Sequence, residues 1–232
     1  MNILIFGGTG SVGAWTARKA LERGHFVTLH VRDANRVPED LKSSIGVTIY
    51  EGTLADEASL TSAIKGQDVI LSSIGPNGPW GFKGELIAGY RLILRLMRTL
   101  NVHRIIAMTT ISCYDPHDSF AFSRLLTYLL IFIFARIAQL EVLGIEKVFK
   151  EDGASIDWTL ARVPVLKDSP EDGYIAKAGY VGDGHWNLFL ERRDWANWMV
   201  REAERECPNW VRESPALYTP LETRHRSHPH RE

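Results

Sequence analysis

Three glycines carry the clearest chemistry in this chain. Gly7, Gly10 and Gly13 recur every third residue, directly after a short apolar run, Ile3 to Phe6. They stand directly before a helical pattern, Ala14 to Arg23, that stops at Gly24. Glycines at this spacing between a strand and a helix suit a dinucleotide pyrophosphate. One permits the sharp turn, one lets the backbone approach phosphate, and one lets the helix pack closely on the strand. The helix N-terminus then turns its unpaired N–H groups and positive dipole end toward the anion. Thr9, Ser11 and Val12 complete the same candidate cofactor loop.

A second charged group follows the next apolar run. Val31-Arg32-Asp33-Ala34-Asn35-Arg36 places an acid twenty residues past Gly13, flanked by two arginines. An acid here would hold the ribose 2′-hydroxyl of NAD, whereas a guanidinium fork matches the 2′-phosphate of NADP. Arg32 and Arg36 favour NADP, with NAD as the alternative. Further on, Thr53 and Leu54 stand where adenine is expected, and Asp56 reads as a helix N-cap. Ser73, Ile74 and Gly75 belong to a small, backbone-rich stretch, Ser72 to Gly78, that can lie against a cofactor without clashing. Thr109 and Thr110 place hydroxyls near a nicotinamide, and Arg162-Val163-Pro164 leads into a pocket segment in which Pro164 borders the cofactor.

The elements that position these residues alternate. Apolar runs at His25–Val31, Val47–Glu51, Asp68–Ser72, Arg104–Thr109 and Asp157–Arg162 read as strands. Helical patterns fall at Ala58–Ile64 and Phe82–Leu100, with a long one from about Ser119 to Glu151. Continuous apolar strands alternating with helices predict an α/β fold, a doubly wound, Rossmann-like parallel sheet covered on both faces. Ligands then bind beyond the carboxyl ends of the strands. A single domain is expected over residues 1–205, with a small C-terminal substrate-binding portion at about 163–205. Residues 206–232 read as a polar, poorly ordered tail, whose His225, His228 and His230 are given no function.

The glycine turn, Val31-Arg32-Asp33, the paired hydroxyls Thr109-Thr110 and Trp158-Thr159-Leu160-Ala161-Arg162-Val163-Pro164 together resemble atypical short-chain dehydrogenases. The nearest branch is NmrA-like, which includes small NADPH-dependent flavin and biliverdin reductases. Ala107-Met108-Thr109-Thr110 with Tyr114-Asp115-Pro116 is similar to that branch's fifth-strand loop, and Glu191-Arg192-Arg193-Asp194-Trp195-Ala196 to its late helix start. The resemblance implies a dinucleotide-binding fold and reductase chemistry. This chain departs from it in the proton donor. Tyr90, Tyr114 and Tyr128 are followed four residues later by Leu94, Asp118 and Phe132, so none has the lysine of Tyr-x-x-x-Lys.

The remaining candidate catalytic groups are Thr110, Ser112 and Tyr114. Trp80, Tyr128, His185 and Trp186 are candidate substrate contacts, and Phe82, Phe189 and Trp195 add aromatics in the same regions. Lys147 and Lys150 read as solvent-facing. The segment Leu125 to Ala135 is apolar all round, too short to span a bilayer, and reads first as a buried core helix. The other readings are a wall for a hydrophobic substrate, a dimer face or a contact with a membrane surface. A net charge of −1 gives no reason to expect nucleic acid. Cys113 and Cys207 form neither a disulfide framework nor a metal site, and with no signal-peptide pattern a reducing cytoplasmic setting is expected.

Three functions fit these residues. They are an NADPH-dependent reductase of a hydrophobic or aromatic small molecule, a non-redox cyclase or isomerase on the same scaffold, and an NmrA-like dinucleotide-sensing regulator. A natural-product intermediate suits the first two. The protein is expected to be a monomer or homodimer with no metal.

Overall fold

A computed structural model of the protein describes residues 1–76, 84–168 and 175–220. It opens with β1 (Asn2–Phe6), α1 (Ser11–Glu22), β2 (Phe26–Val31), a 3-10 turn (Ala34–Arg36), α2 (Glu39–Lys42), β3 (Val47–Glu51), α3 (Glu57–Ile64) and β4 (Val69–Ser72). The chain continues through α4 (Glu85–Thr99), β5 (Arg104–Thr110), α5 (Phe122–Phe134), α6 (Arg136–Asp152), β6 (Asp157–Val163), β7 (Val165–Lys167) and β8 (Lys177–Gly179). It closes with β9 (Phe189–Glu191), α7 (Arg192–Ala203) and β10 (Ala216–Tyr218).

The main sheet runs β3-β2-β1-β4-β5-β6-β10-β8. All neighbours are parallel except β8, which is antiparallel to β10. Chain order reverses between β1 and β4, and the crevice outside the strand ends at such a switch point is where an open α/β sheet takes ligands. A separate parallel pair, β7 with β9, lies in the C-terminal portion.

Why both faces of the sheet are covered is visible in β1. Successive side chains of a strand point to opposite faces. Ile3 and Ile5 join a core with Ala17, Trp195 and Met199, on the side of α1 and α7. Leu4 and Phe6 join another with Leu60, Tyr90 and Phe149, on the side of α3, α4 and α6. A strand buried on both faces needs the continuous apolar run that the sequence shows.

Two expectations are corrected. The long helix from Ser119 to Glu151 is two helices, α5 and α6, bent by 114°. The break falls at Ala135, where φ −140° and ψ 35° leave the helical region. Helix α5 contains no buried residue, so it is not a core helix. The expected tail also enters the fold. Ala216, Leu217 and Tyr218 are buried, and β10 inserts between β6 and β8. A three-residue strand flanked by Pro215 and Pro220 shows too little periodicity to be read from sequence. Residues 221–232, with the three histidines, lie outside the described residues, as do Trp80 and Phe82.

Helix α4 begins on a buried anion. The Glu141 carboxylate of α6 accepts from the backbone N–H of Gly84 (2.7 Å), Leu86 (2.8 Å) and Ile87 (3.2 Å). A carboxylate at a helix N-terminus satisfies orphan donors and opposes the dipole. It fixes the start of the helix whose first turns face the β1–β4 crevice.

Candidate functional site

The glycine turn is built around clearances that side chains would violate. Gly7 has φ +84°, and a Cβ there would lie 3.2 Å from the Ser73 carbonyl carbon. The Gly10 N–H donates to Gly7 O at 2.9 Å, closing the turn. At Gly13 a Cβ would fall 2.1 Å from Gly7 O, so α1 can approach β1 this closely only without a side chain. Gly10 is the extended N-cap of α1, no side chain caps it, and no acid sits in the first turn. The N–H groups of that turn are thus left for an anionic ligand.

A cleft of about 860 Å³ opens from this turn. Gly7, Thr9 and Gly10 line it with Arg32 and Arg36 after β2, Thr53 and Leu54 after β3, and Ser73, Ile74 and Gly75 after β4. Ten of the proposed cofactor residues thus share one cavity. Ser11 is exposed, and Val12 and Gly13 are buried, behind the turn. Asp33 is already engaged, since its carboxylate accepts from Asn35 N–H at 2.9 Å and caps the 3-10 turn. Ser73 Oγ is buried and has no hydrogen-bond partner among the described residues. An orphaned hydroxyl, an uncapped helix start and a cradle that a Cβ would fill suit a dinucleotide.

The sequence reading missed part of this wall. His30 lines the cleft beside Gly52, and α4 contributes Glu85, Leu86, Ala88, Gly89 and Leu92. His30 lies within β2, one residue before its end, and Gly89 within α4, positions that carry no loop signal. Ser59 Oγ donates to Glu51 O at 3.0 Å, so at 3.1 Å His30 Nε2–H must donate to that oxygen. Burial pushes the His30 pKa down, against the opposing charge of Asp56. Burial thus disfavours the protonated ring, and in the neutral form Nδ1 is left as the acceptor.

A second cavity, of about 720 Å³, lies between the loop after β5 and helices α5 and α6. It gathers Ser112, Tyr114 and Tyr128 with Arg124, Glu146 and Lys150. The Ser112 hydroxyl is buried and unpartnered among the described residues. Lys150 is exposed, as expected, and also borders this cavity, where its Nζ donates to Glu146 at 2.8 Å. Lys147 stays exposed. Tyr90 is not available as an acid. Its hydroxyl pairs with Ser72 Oγ at 2.6 Å, and burial pushes its pKa up to about 12.

Several expected site residues lie elsewhere. Thr109 is buried, with Oγ1 on Cys113 Sγ at 3.1 Å, and neither it nor Pro164 lines either cavity. Thr110 Oγ1 accepts from Ser112 N–H at 3.3 Å and holds the loop. His185 is exposed in a turn organised by Asp183, whose Oδ1 accepts from His185 N–H at 2.9 Å. Trp186 packs on Ile111, Val181 and Ala216. Neither is among the residues lining the two cavities.

A doubly wound sheet with this turn at its switch point defines a dinucleotide-binding protein. The profile of a family described as NAD(P)H-binding matches residues 7–206, and the chain belongs to that family. Among curated proteins, an isoflavone reductase homolog of Zea mays is 42% identical over 81 residues, covering 32% of this chain and 26% of the relative. A phenylcoumaran benzylic ether reductase of Ginkgo biloba is 40% identical over 80 residues, with the same shares. The matched stretch thus spans about a quarter of these relatives. Among solved structures, a short-chain dehydrogenase/reductase of Veillonella parvula in complex with NADP is 16% identical, with a TM-score of 0.76 over 93% of both chains. ChuY, an anaerobillin reductase of Escherichia coli, is 19% identical, with a TM-score of 0.70 over 95% of this chain and 98% of the other. At these identities the likeness is one of fold, in keeping with the short-chain dehydrogenase resemblance of the residues.

Proposed function

We propose that the protein is an NADPH-dependent reductase of a hydrophobic, aromatic small molecule. The observation that carries the cofactor choice is the pairing of Arg32 and Arg36 on the cleft wall with an Asp33 committed to its own turn. Asp33 is not among the residues lining the cleft, whereas Arg32 and Arg36 are, so a 2′-phosphate there would meet guanidinium groups. NADPH supplies hydride when bound. The chain's own part is to seat the pyrophosphate on the α1 N-terminus, hold the adenosine end between the two arginines and Leu54, and present small residues at 73–75 beside the redox end.

The substrate is assigned to the second cavity. Tyr114, Phe120, Leu125, Tyr128 and Leu143 give it aromatic and aliphatic walls, and Ser112 Oγ offers a polar group without a competing partner. The names of the plant relatives, an isoflavone reductase homolog and a phenylcoumaran benzylic ether reductase, support an aromatic substrate. Lacking Tyr-x-x-x-Lys, the protein orients its substrate and excludes water, and Ser112 and Tyr114 hydrogen-bond the group being reduced.

The test is direct. NADPH and NADH are titrated by nicotinamide fluorescence, and loss of the reduced-nicotinamide absorbance is then followed with flavins, quinones and phenylpropanoids. Tight NADPH binding with turnover on one of these classes is the expected result. Binding without turnover on any of them would sink the reductase reading in favour of a sensor or a non-redox enzyme.

A further inference from the structure

Helix α5 leaves every one of its 13 residues unburied, although it is among the most apolar segments of the chain. Leu125, Leu129, Ile133 and Phe134 are 54%, 51%, 59% and 71% exposed. We propose that α5 beds in the surface of an anionic phospholipid bilayer as an in-plane anchor.

The circumference of the helix selects the occupant. At about 100° per residue, the exposed apolar side chains from Tyr128 through Leu129 to Phe134 sweep about 240°. A helix that packs on protein carries an apolar stripe of roughly 100° or a little more. A second copy of the chain docked on one side would leave the rest of this arc wet, whereas lipid reaches round all of it. Length decides how the helix lies. Thirteen residues span about 20 Å, short of the roughly 30 Å hydrocarbon core, so α5 rests in the interface and does not cross it. Helix α6 does not complete a span, because it turns away by 114° and buries Glu141 and Glu146 against the body.

Charge agrees with an anionic surface. Helix α5 has no acidic residue, and Arg136 follows its apolar run, whereas Arg124 at the other end is turned inward onto Asp118. The Arg136 guanidinium lies 4.7 Å above the Phe132 ring, at the end where Phe134 is also exposed. An aromatic ring and a cation at the end of an apolar helix match the headgroup level of a bilayer. The anchor is also continuous with the second cavity, because Leu125 and Tyr128 line that cavity while Leu126, Leu129 and Ile133 face outward. On the reductase reading, a lipid-dissolved substrate enters the cavity along α5 without crossing water.

The experiment is sedimentation of the full chain with phosphatidylcholine vesicles, with and without phosphatidylglycerol, alongside size-exclusion chromatography. The protein is expected to sediment with the anionic vesicles and markedly less with neutral ones. The double variant Leu129→Glu/Ile133→Glu should lose at least tenfold in vesicle affinity, with NADPH affinity unchanged as the sign of an intact fold. Failure of the wild-type chain to bind, equal binding by the double variant, or equal binding to neutral vesicles overturns the proposal. So does a dimer that the double variant dissociates while no vesicle binding is seen. Sedimentation needs neither cofactor nor turnover, so its failure is distinct from failure of the reductase reading.

Discussion

Arg162 and Asp118 form a two-pronged ion pair with neither side chain exposed, Nη1 to Oδ2 at 2.5 Å and Nη2 to Oδ1 at 2.8 Å. Arg162 also donates from Nε to Ser214 O (2.6 Å) and from Nη1 to Cys113 O (3.1 Å). Arg124 reaches the same carboxylate at 3.1 Å, and Val181 N–H donates to it at 3.0 Å. One buried fork therefore joins β6, the loop after β5, α5, the Val181 turn and the segment leading into β10. Two of these, the loop after β5 and α5, are walls of the second cavity. A buried pair adds little net stability over an apolar replacement, but it fixes which loops meet.

Removing one partner leaves a desolvated charge. Asp118→Ala strands both Arg162 and Arg124 and is expected to cost about 3–5 kcal/mol. Denaturant unfolding should show the loss in midpoint. An unchanged midpoint would mean that the fork is not intact in solution.

Two buried carboxyls give the stability opposite pH dependences. Burial raises the Asp118 pKa, but the Arg162 hydrogen bonds and charge outweigh it and hold the group below its ordinary value. Its stabilisation is complete above the unfolded value of about 3.9 and is lost as pH falls through the lower folded value. Asp194, at the start of α7, goes the other way. Burial pushes it up to about 6, with the Thr219 hydroxyl at 2.7 Å opposing and the Glu191 charge adding. Its contribution is present below the unfolded value and is lost as pH rises through about 6. Asp194→Asn should therefore raise the melting temperature at pH 8, by roughly 2–4 °C for each kcal/mol relieved. The gain should vanish near pH 4, and an equal gain at both pH values would contradict the assignment.

The sheet was readable because parallel strands buried on both faces must be apolar throughout, as Ile3 to Phe6 and Val69 to Leu71 are. The cofactor turn was readable because glycine at positions 7 and 13 answers a backbone need that no other residue meets. What escaped has a common physical form. His30 and Gly89 face the cleft from within a strand and a helix, and Lys150, exposed on α6, still borders the second cavity. Helix α5 misled for the reverse reason. Apolar composition predicts burial, but the bend at Ala135 carries these side chains away from the core.

The two thiols should behave differently. Burial pushes Cys113 up to about 12, and its Sγ is held by Thr109, whereas Cys207 is exposed. A thiol reagent near neutral pH should modify Cys207 alone in the native chain and both cysteines after denaturation, since reaction requires an accessible thiolate. Fast modification of Cys113 in the native state would show that the β5 loop opens.

The glycine turn makes a steric prediction that separates cofactor binding from folding. A Cβ at Gly13 would lie 2.1 Å from Gly7 O, which is backbone and cannot rotate aside. Gly13→Ala must push α1 off β1, at an overpacking cost of about 1–3 kcal/mol, and displace the N–H groups meant for the pyrophosphate. The variant should remain folded by circular dichroism while losing affinity for NADPH and NADH alike. Arg32→Ala and Arg36→Ala should discriminate between them instead. Each guanidinium facing the 2′-phosphate is worth about 1.4 kcal/mol or more, a tenfold loss for NADPH with little change for NADH. Fluorescence titration of the three variants with both nucleotides gives the comparison. A uniform loss in the glycine variant and a selective one in the arginine variants place the pyrophosphate on α1 and the 2′-phosphate after β2. Equal losses for both nucleotides in the arginine variants would assign the cleft to NADH and return Asp33 to consideration.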